Sequence, residues 1–208
     1  MKIEVPTSWY DVPWNLFEEI SAIGAANLED SEKEIMLISK ICGISVEEVM
    51  DLDAASISAI DSRLQFLREK PEKKMPSAVW ECRGRRFRVD LYPAAFKASQ
   101  FIDYKVISGM EIDRKIARLI CCFLYPEGKE YNEGYDLEEV VDYVNTNMSV
   151  PEVTGYADFF MLQYRAYADS LAGYSMRLLK RSGIPRRERR RIAESLRKGR
   201  DLIRSFGT

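Results

Sequence analysis

The sequence predicts a mainly α protein: a helical bundle built from two related helical units, with a small β-hairpin and an N-terminal strand between or beside them. Three observations carry this. Apolar residues recur at helical spacing through most of the 208 residues. Helix starts are announced by Ser or Asp followed by Glu three residues on. One stretch alone, "VWECRGRRFRVDL", changes to the alternation of a strand. With 46% hydrophobic and 11% aromatic residues, the chain has ample material for a buried core.

The first helix is expected in "TSWYDVPWNLFEEISAI", with Asp11 as N-cap, Pro13 in the first turn, and Leu16, Ile20 and Ile23 on one apolar face. Ser31 and Glu34 form a capping box for a second, which carries Ile35, Ile38 and Ile41 or Cys42 and ends at Gly43. Ser45 with Glu48 repeats the box for a short helix through Met50. Asp53 opens a fourth, with Ile57, Ile60, Leu64 and Leu67 as its stripe before Pro71. This N-terminal helical unit spans residues 1–70.

Residues 71–92 read as a linker followed by the hairpin. Trp80 and Cys82, then Phe87, Val89 and Leu91, form its apolar face, Arg83 and Gly84 the bend, and Arg86, Arg88 and Asp90 the polar face. A lone two-stranded hairpin is marginal in water, so it needs another strand or a helix beneath it, and residues 3–5 are the candidate for the strand.

The C-terminal helical unit spans residues 93–182. Phe96, Phe101, Ile102 and Val106 give its first helix, ending at Gly109. Ile112, Ile116, Leu119, Ile120 and Phe123 give its second, ending at Pro126. After the loop 127–135, Asp136 caps a helix with Glu139 at its third position. Residues 151–181 form one long helix with Tyr156, Phe160, Tyr164, Tyr167, Leu171, Tyr174 and Leu178 along one stripe. Thirty residues at 1.5 Å each make it roughly 45 Å long, enough to project or to pack on another chain, including a second copy. Residues 183–208 form a basic amphipathic helix with Ile192, Leu196, Ile203 and Phe206 on one face. Gly199 in its middle costs about 1 kcal/mol relative to alanine. The order of helices and capping motifs in the first unit is echoed in the second, as an ancient duplication would leave it.

The composition narrows the function classes. The chain has no histidine, which removes the commonest general base and every Ser/His or Cys/His arrangement. Its four cysteines lack any CxxC spacing, so they read as buried, reduced thiols and not as zinc ligands. Neither GxxxxGK[ST] nor GxGxxG occurs. The expectation is a protein with no enzymatic activity, no metal and no cofactor. No long uninterrupted apolar run and no leader pattern occur, so a cytosolic protein without a membrane partner is expected. Residues 177–208 hold twelve Lys and Arg against three acids, a net +9, which leaves −11 for the remainder. An acidic body with a basic tail pairs with itself, with a partner, or with nucleic acid.

The most distinctive text is "CCFLYPEGKEYNEGYD" at 121–136. Its Tyr125, Tyr131 and Tyr135 either present a recognition surface or pack the loop on its own helices. The acids Glu127, Glu130, Glu133 and Asp136 are read as solvated, and the loop lacks the alternating ligands of a calcium site. The other candidate contacts are the aromatic stripe, Tyr156, Phe160, Tyr164 and Tyr167, and the basic face, Arg187, Arg190, Arg191, Ile192 and Leu196.

The stretches "YPAAFKASQFIDYKVI", "ICCFLYPEGKEYNEGYDLEEVVDYVNTNMSVPEVTGYADFF" and, more loosely, "SWYDVPWNLFEEISAI" resemble a family of small helical proteins encoded among bacteriophage tail genes, particularly in phages of Bacteroidales. These are described as tail assembly chaperones or as relatives of baseplate hub assembly proteins. The resemblance covers roughly residues 7–180 and is strongest over 96–160; the basic tail departs from it. It implies a non-enzymatic protein that binds the tape measure or another tail component in the host cytoplasm before the tube polymerises. The alternatives are a structural adaptor retained in the virion and a nucleic-acid-binding accessory protein acting through the basic helix.

Overall fold

The computed structural model describes residues 3–92, 96–181, 185, 188 and 190–194, with side chains as far as Tyr167 in the longest helix and again from 185. The chain is mainly α-helical, with one small antiparallel sheet among the described residues. Helices α1 (Trp14–Ala25), α2 (Asp30–Cys42), α3 (Val46–Met50) and α4 (Ala54–Arg63) come first. Strands β1 (Val79–Cys82) and β2 (Arg85–Val89) follow, then α5 (Ala98–Ser108), α6 (Lys115–Cys121), β3 (Leu124–Pro126), α7 (Leu137–Asn147) and α8 (Val150–Arg181).

Most boundaries fall where the local chemistry puts them. Gly43 adopts φ 63° and closes α2. Ser45 and Glu48 exchange backbone and side-chain bonds of 2.8 and 3.1 Å across the start of α3, and the Asp53 carboxylate accepts the Ser56 N–H at 2.7 Å to open α4. Two caps are displaced from their expected frames. Asp11 closes a 3₁₀ turn (Trp9–Asp11) ahead of α1, accepting from the N–H groups of Thr7 and Ser8 at 3.0 and 3.1 Å. Those bonds, the Thr7 N–H first, hold its carboxyl below its usual range. Helix α2 is capped from Glu29, whose N–H donates to Glu32 at 3.2 Å. Ser31 therefore sits inside the first turn, where acids rather than a hydroxyl meet the helix dipole.

Two cores result. Ile38, Ile41, Ile44, Val49, Ile60 and Leu64 bury one another within the first helices. Ile3 and Val5 pack against this cluster as side chains only, so the expected N-terminal strand does not form. The third strand is β3, antiparallel to β2 with Arg88 opposite Tyr125. The apolar run that the periodicity carried to Pro126 stops being helical at Cys121. Proline at 126 disfavours helical geometry at Tyr125, and the open edge of β2 offers partners: Asp90 N–H donates to the Phe123 carbonyl at 2.9 Å and Glu127 N–H to that of Arg86 at 3.0 Å. In the hairpin, Arg83 (φ 46°) and Gly84 (φ 77°) both take the positive φ that a tight two-residue turn requires.

The larger core joins the sheet to α5–α8 through Trp80, Phe87, Phe123, Met148, Tyr156 and Phe160. The N-terminal segment is fastened to it at the α7–α8 junction. Trp14 N–H donates to the Met148 carbonyl at 3.0 Å, and Val150 N–H to that of Val12 at 3.1 Å. The linker crosses α8 at Gly155, where Lys74 N–H reaches the Pro151 carbonyl at 2.8 Å.

Candidate functional site

The loop 121–136 is built around a buried polar network. Asp90, expected on the hairpin's polar face, is 5% exposed. Its carboxylate accepts from the Tyr125 hydroxyl and from the Gln100 amide, both at 3.0 Å. Gln100 also donates to the Cys122 carbonyl at 2.9 Å and accepts the Lys97 N–H at 2.6 Å. Such a network, with its members mutually satisfied, ties the end of β2, the start of α5 and β3 into one unit. Desolvation first, then the Asp90 charge, pushes the Tyr125 hydroxyl up to about 12, so it remains a donor at neutral pH.

The other two tyrosines are engaged in the same manner. The buried Tyr131 donates to Asp103 at 2.8 Å, and its hydroxyl pKa is raised, by burial foremost. Half-buried Tyr135 accepts the Asn132 N–H at 3.1 Å, where the loop turns through φ 58°. Tyr125 and Tyr131 therefore face inward and pack the loop on its own helices. Of its acids, Glu127 pairs with Arg86 at 3.1 Å, Glu130 pairs with Lys97 at 2.8 Å, and Asp136 caps α7 by accepting the Glu138 N–H at 2.9 Å.

Cys121 and Cys122, at the start of this stretch, are 1% and 2% exposed. Burial raises both thiols, Cys122 to about 12, which suppresses the reactive thiolate. In native protein at pH 8, both are expected to resist a maleimide or disulfide reagent until denaturant is added. Peptide mapping that finds either one labelled at a free-thiol rate would contradict the burial.

The aromatic stripe of α8 is a seam. Tyr156 and Phe160 are in the core. Tyr164 packs on Tyr104 with ring centroids 4.8 Å apart, and Tyr167 stacks on Phe101 at 3.8 Å and 7°. Stacking consumes the faces a partner would meet. In the basic segment, Arg190, Arg191 and Ile192 are exposed, and Arg190 pairs with Glu194 at 3.2 Å. Arg187 and Leu196 lie outside the described residues.

The surface that sequence reading missed is on α5. Its buried face is Gln100, Phe101 and Tyr104. Ile102 and Val106, expected in the core stripe, point the other way and are 60% and 49% exposed, with Met110 and Ile112 at 45% and 37% just beyond the helix. The missing signal was the polar residue that the core selected: Gln100 is fully buried, which rotates the helix about its axis relative to the apolar pattern.

No helix among the described residues is long and apolar enough to cross a membrane. No protein-family model, curated protein or solved structure matches the chain.

Proposed function

We propose that the protein is a non-enzymatic assembly chaperone that holds a helical segment of a tape measure, or of another tail component, in the host cytoplasm before the tail tube forms. The observation that carries this reading is the outward strip of α5. Ile102 and Val106 stand one helical turn apart on the face opposite the core, and Met110 and Ile112 extend the apolar character past its end. Covering a side chain of this size contributes about 1.5–3 kcal/mol, and i, i+4 spacing is the register in which one amphipathic helix receives another. A tape measure, as a long coiled-coil protein, exposes such helices before assembly. The resemblance of residues 96–160, which include α5, to tail assembly chaperones supplies the partner class.

The chaperone reading requires release, so the protein is expected to be absent from finished particles. Quantitative mass spectrometry of purified virions tests this; stoichiometric retention would favour the structural adaptor. The net +9 of residues 177–208 keeps nucleic acid as the competing partner. That reading requires binding that weakens steeply with salt and disappears on truncation after Gly183.

A further inference from the structure

The inner side of α5 carries a feature unrelated to the outward strip. Between α5, α6 and α8 lies a cavity of about 370 Å³, within the 300–1,000 Å³ typical of small-molecule sites. Its walls are apolar, formed by Ile116, Leu119, Ile120, Phe160 and Met161, and two cations, Lys115 and Arg165, stand at it. The carboxylates among the described residues leave both cations largely free. Among the described residues, Lys115 reaches only the fully exposed Glu111, at 3.8 Å, and Asp158, the one acid lining the cavity, is paired with Lys73. Such an exposed lysine pair contributes little.

Arg165 is the decisive residue. Its Nε and Nη2 atoms are shielded from solvent and have no hydrogen-bond partner among the described residues. These two nitrogens form one edge of the guanidinium, and their parallel N–H bonds match the two oxygens of a carboxylate. Shielded charged donors without an acceptor are costly, so the site is incomplete as it stands. The Tyr104 hydroxyl, which also lines the cavity, is kept protonated by desolvation, which raises it to about 12, and so offers a further donor.

We propose that this cavity binds a carboxylate carried on an apolar chain, with the carboxylate on the Nε/Nη2 edge of Arg165 and the chain against Ile116, Leu119 and Met161. The same chemistry arises in a free aliphatic acid and in the C-terminus of a polypeptide ending in a large apolar residue. The site is independent of the chaperone reading.

The test is a titration of the isotope-labelled full-length protein, followed by amide chemical shifts. Four probes are used: octanoate, 1-octanol, a leucine-terminated peptide with a free carboxyl end, and the amide of that peptide. Saturable shifts at 116–120 and 157–165 with octanoate, at least about tenfold weaker with octanol, are expected for a free acid. The same preference for the free-ended peptide over its amide identifies a polypeptide terminus. Arg165→Met keeps the stem and is expected to weaken binding about tenfold, the loss of one charge-assisted contact. Arg165→Lys falls between, while Ile102→Asp on the outward strip leaves binding unchanged. Equal binding of octanol and octanoate, indifference to both Arg165 variants, or no saturable shift with any probe overturns the proposal.

Discussion

Phe123→Ala is expected to lower stability by about 4 kcal/mol, the range for a fully buried aromatic truncated to alanine. Phe123 has no exposed surface. Its ring lies 4.6 Å from those of Phe96 and Phe160, 5.5 Å from that of Tyr104 and 6.2 Å from that of Phe101. Truncation therefore opens a cavity bounded by two separate segments, 96–104 and α8, and collapse would require both to move. Its backbone is fixed as well: the N–H donates to Ile120 and the carbonyl accepts from Asp90, both at 2.9 Å, so the chain is not free to close inward. For a domain of this size the expected fall in Tm is roughly 8–16 °C. Met75→Ala, at a side chain 69% exposed, is the reference and is expected to stay within about 0.5 kcal/mol of the parent. Similar melting of the two variants would show that the aromatic cluster does not organise the core.

Gly155→Ala is expected to cost about 3 kcal/mol, at the upper end of overpacking effects, because the obstacle is backbone. A Cβ at this position would stand 1.9 Å from the Lys74 carbonyl oxygen and 2.7 Å from its carbon. The linker cannot yield without losing the Lys74–Pro151 backbone bond of 2.8 Å and straining the Lys74–Glu152 pair at 2.8 Å. The direction of the effect is informative. Glycine to alanine inside an unobstructed helix raises stability by up to about 1 kcal/mol, and Gly24, with nothing within 4 Å of an added Cβ, is expected to behave so. Thermal melts of G24A and G155A should move in opposite directions. A stabilised G155A would mean that the linker does not cross α8 at this point.

The elements legible in the sequence were those whose signal is local. Ser45 with Glu48, Asp53 and Gly43 name their own helix ends because the groups they satisfy lie within four residues. The hairpin declared itself because Arg83 and Gly84 sit between two alternating runs. What was hidden depends on contacts distant in the chain. Nothing around Leu124 marks a strand until β2 stands beside it, and a run of Ile, Leu, Cys and Phe reads as the continuation of a helix. Asp90 read as a surface residue because the donors to its carboxylate, Gln100 and Tyr125, are 10 and 35 residues away. The candidate tyrosines were identifiable as special but not as buried, since Tyr131 meets its acceptor Asp103 across 28 residues. The strip at Ile102 and Val106 was lost for a related reason: the two were grouped in one stripe with Phe101, which is buried, whereas the full burial of Gln100 turns them to the solvent side.

The central claim, that the outward strip of α5 holds a helical tail component, is tested most directly by co-expressing the chain with a tape-measure fragment and measuring the fragment that remains soluble. The wild-type chain is expected to keep it soluble and to co-elute with it. The Ile102→Asp, Val106→Asp double variant, folded by circular dichroism, is expected to leave most of the fragment in the pellet. Equal solubility and co-elution with both chains would contradict the account.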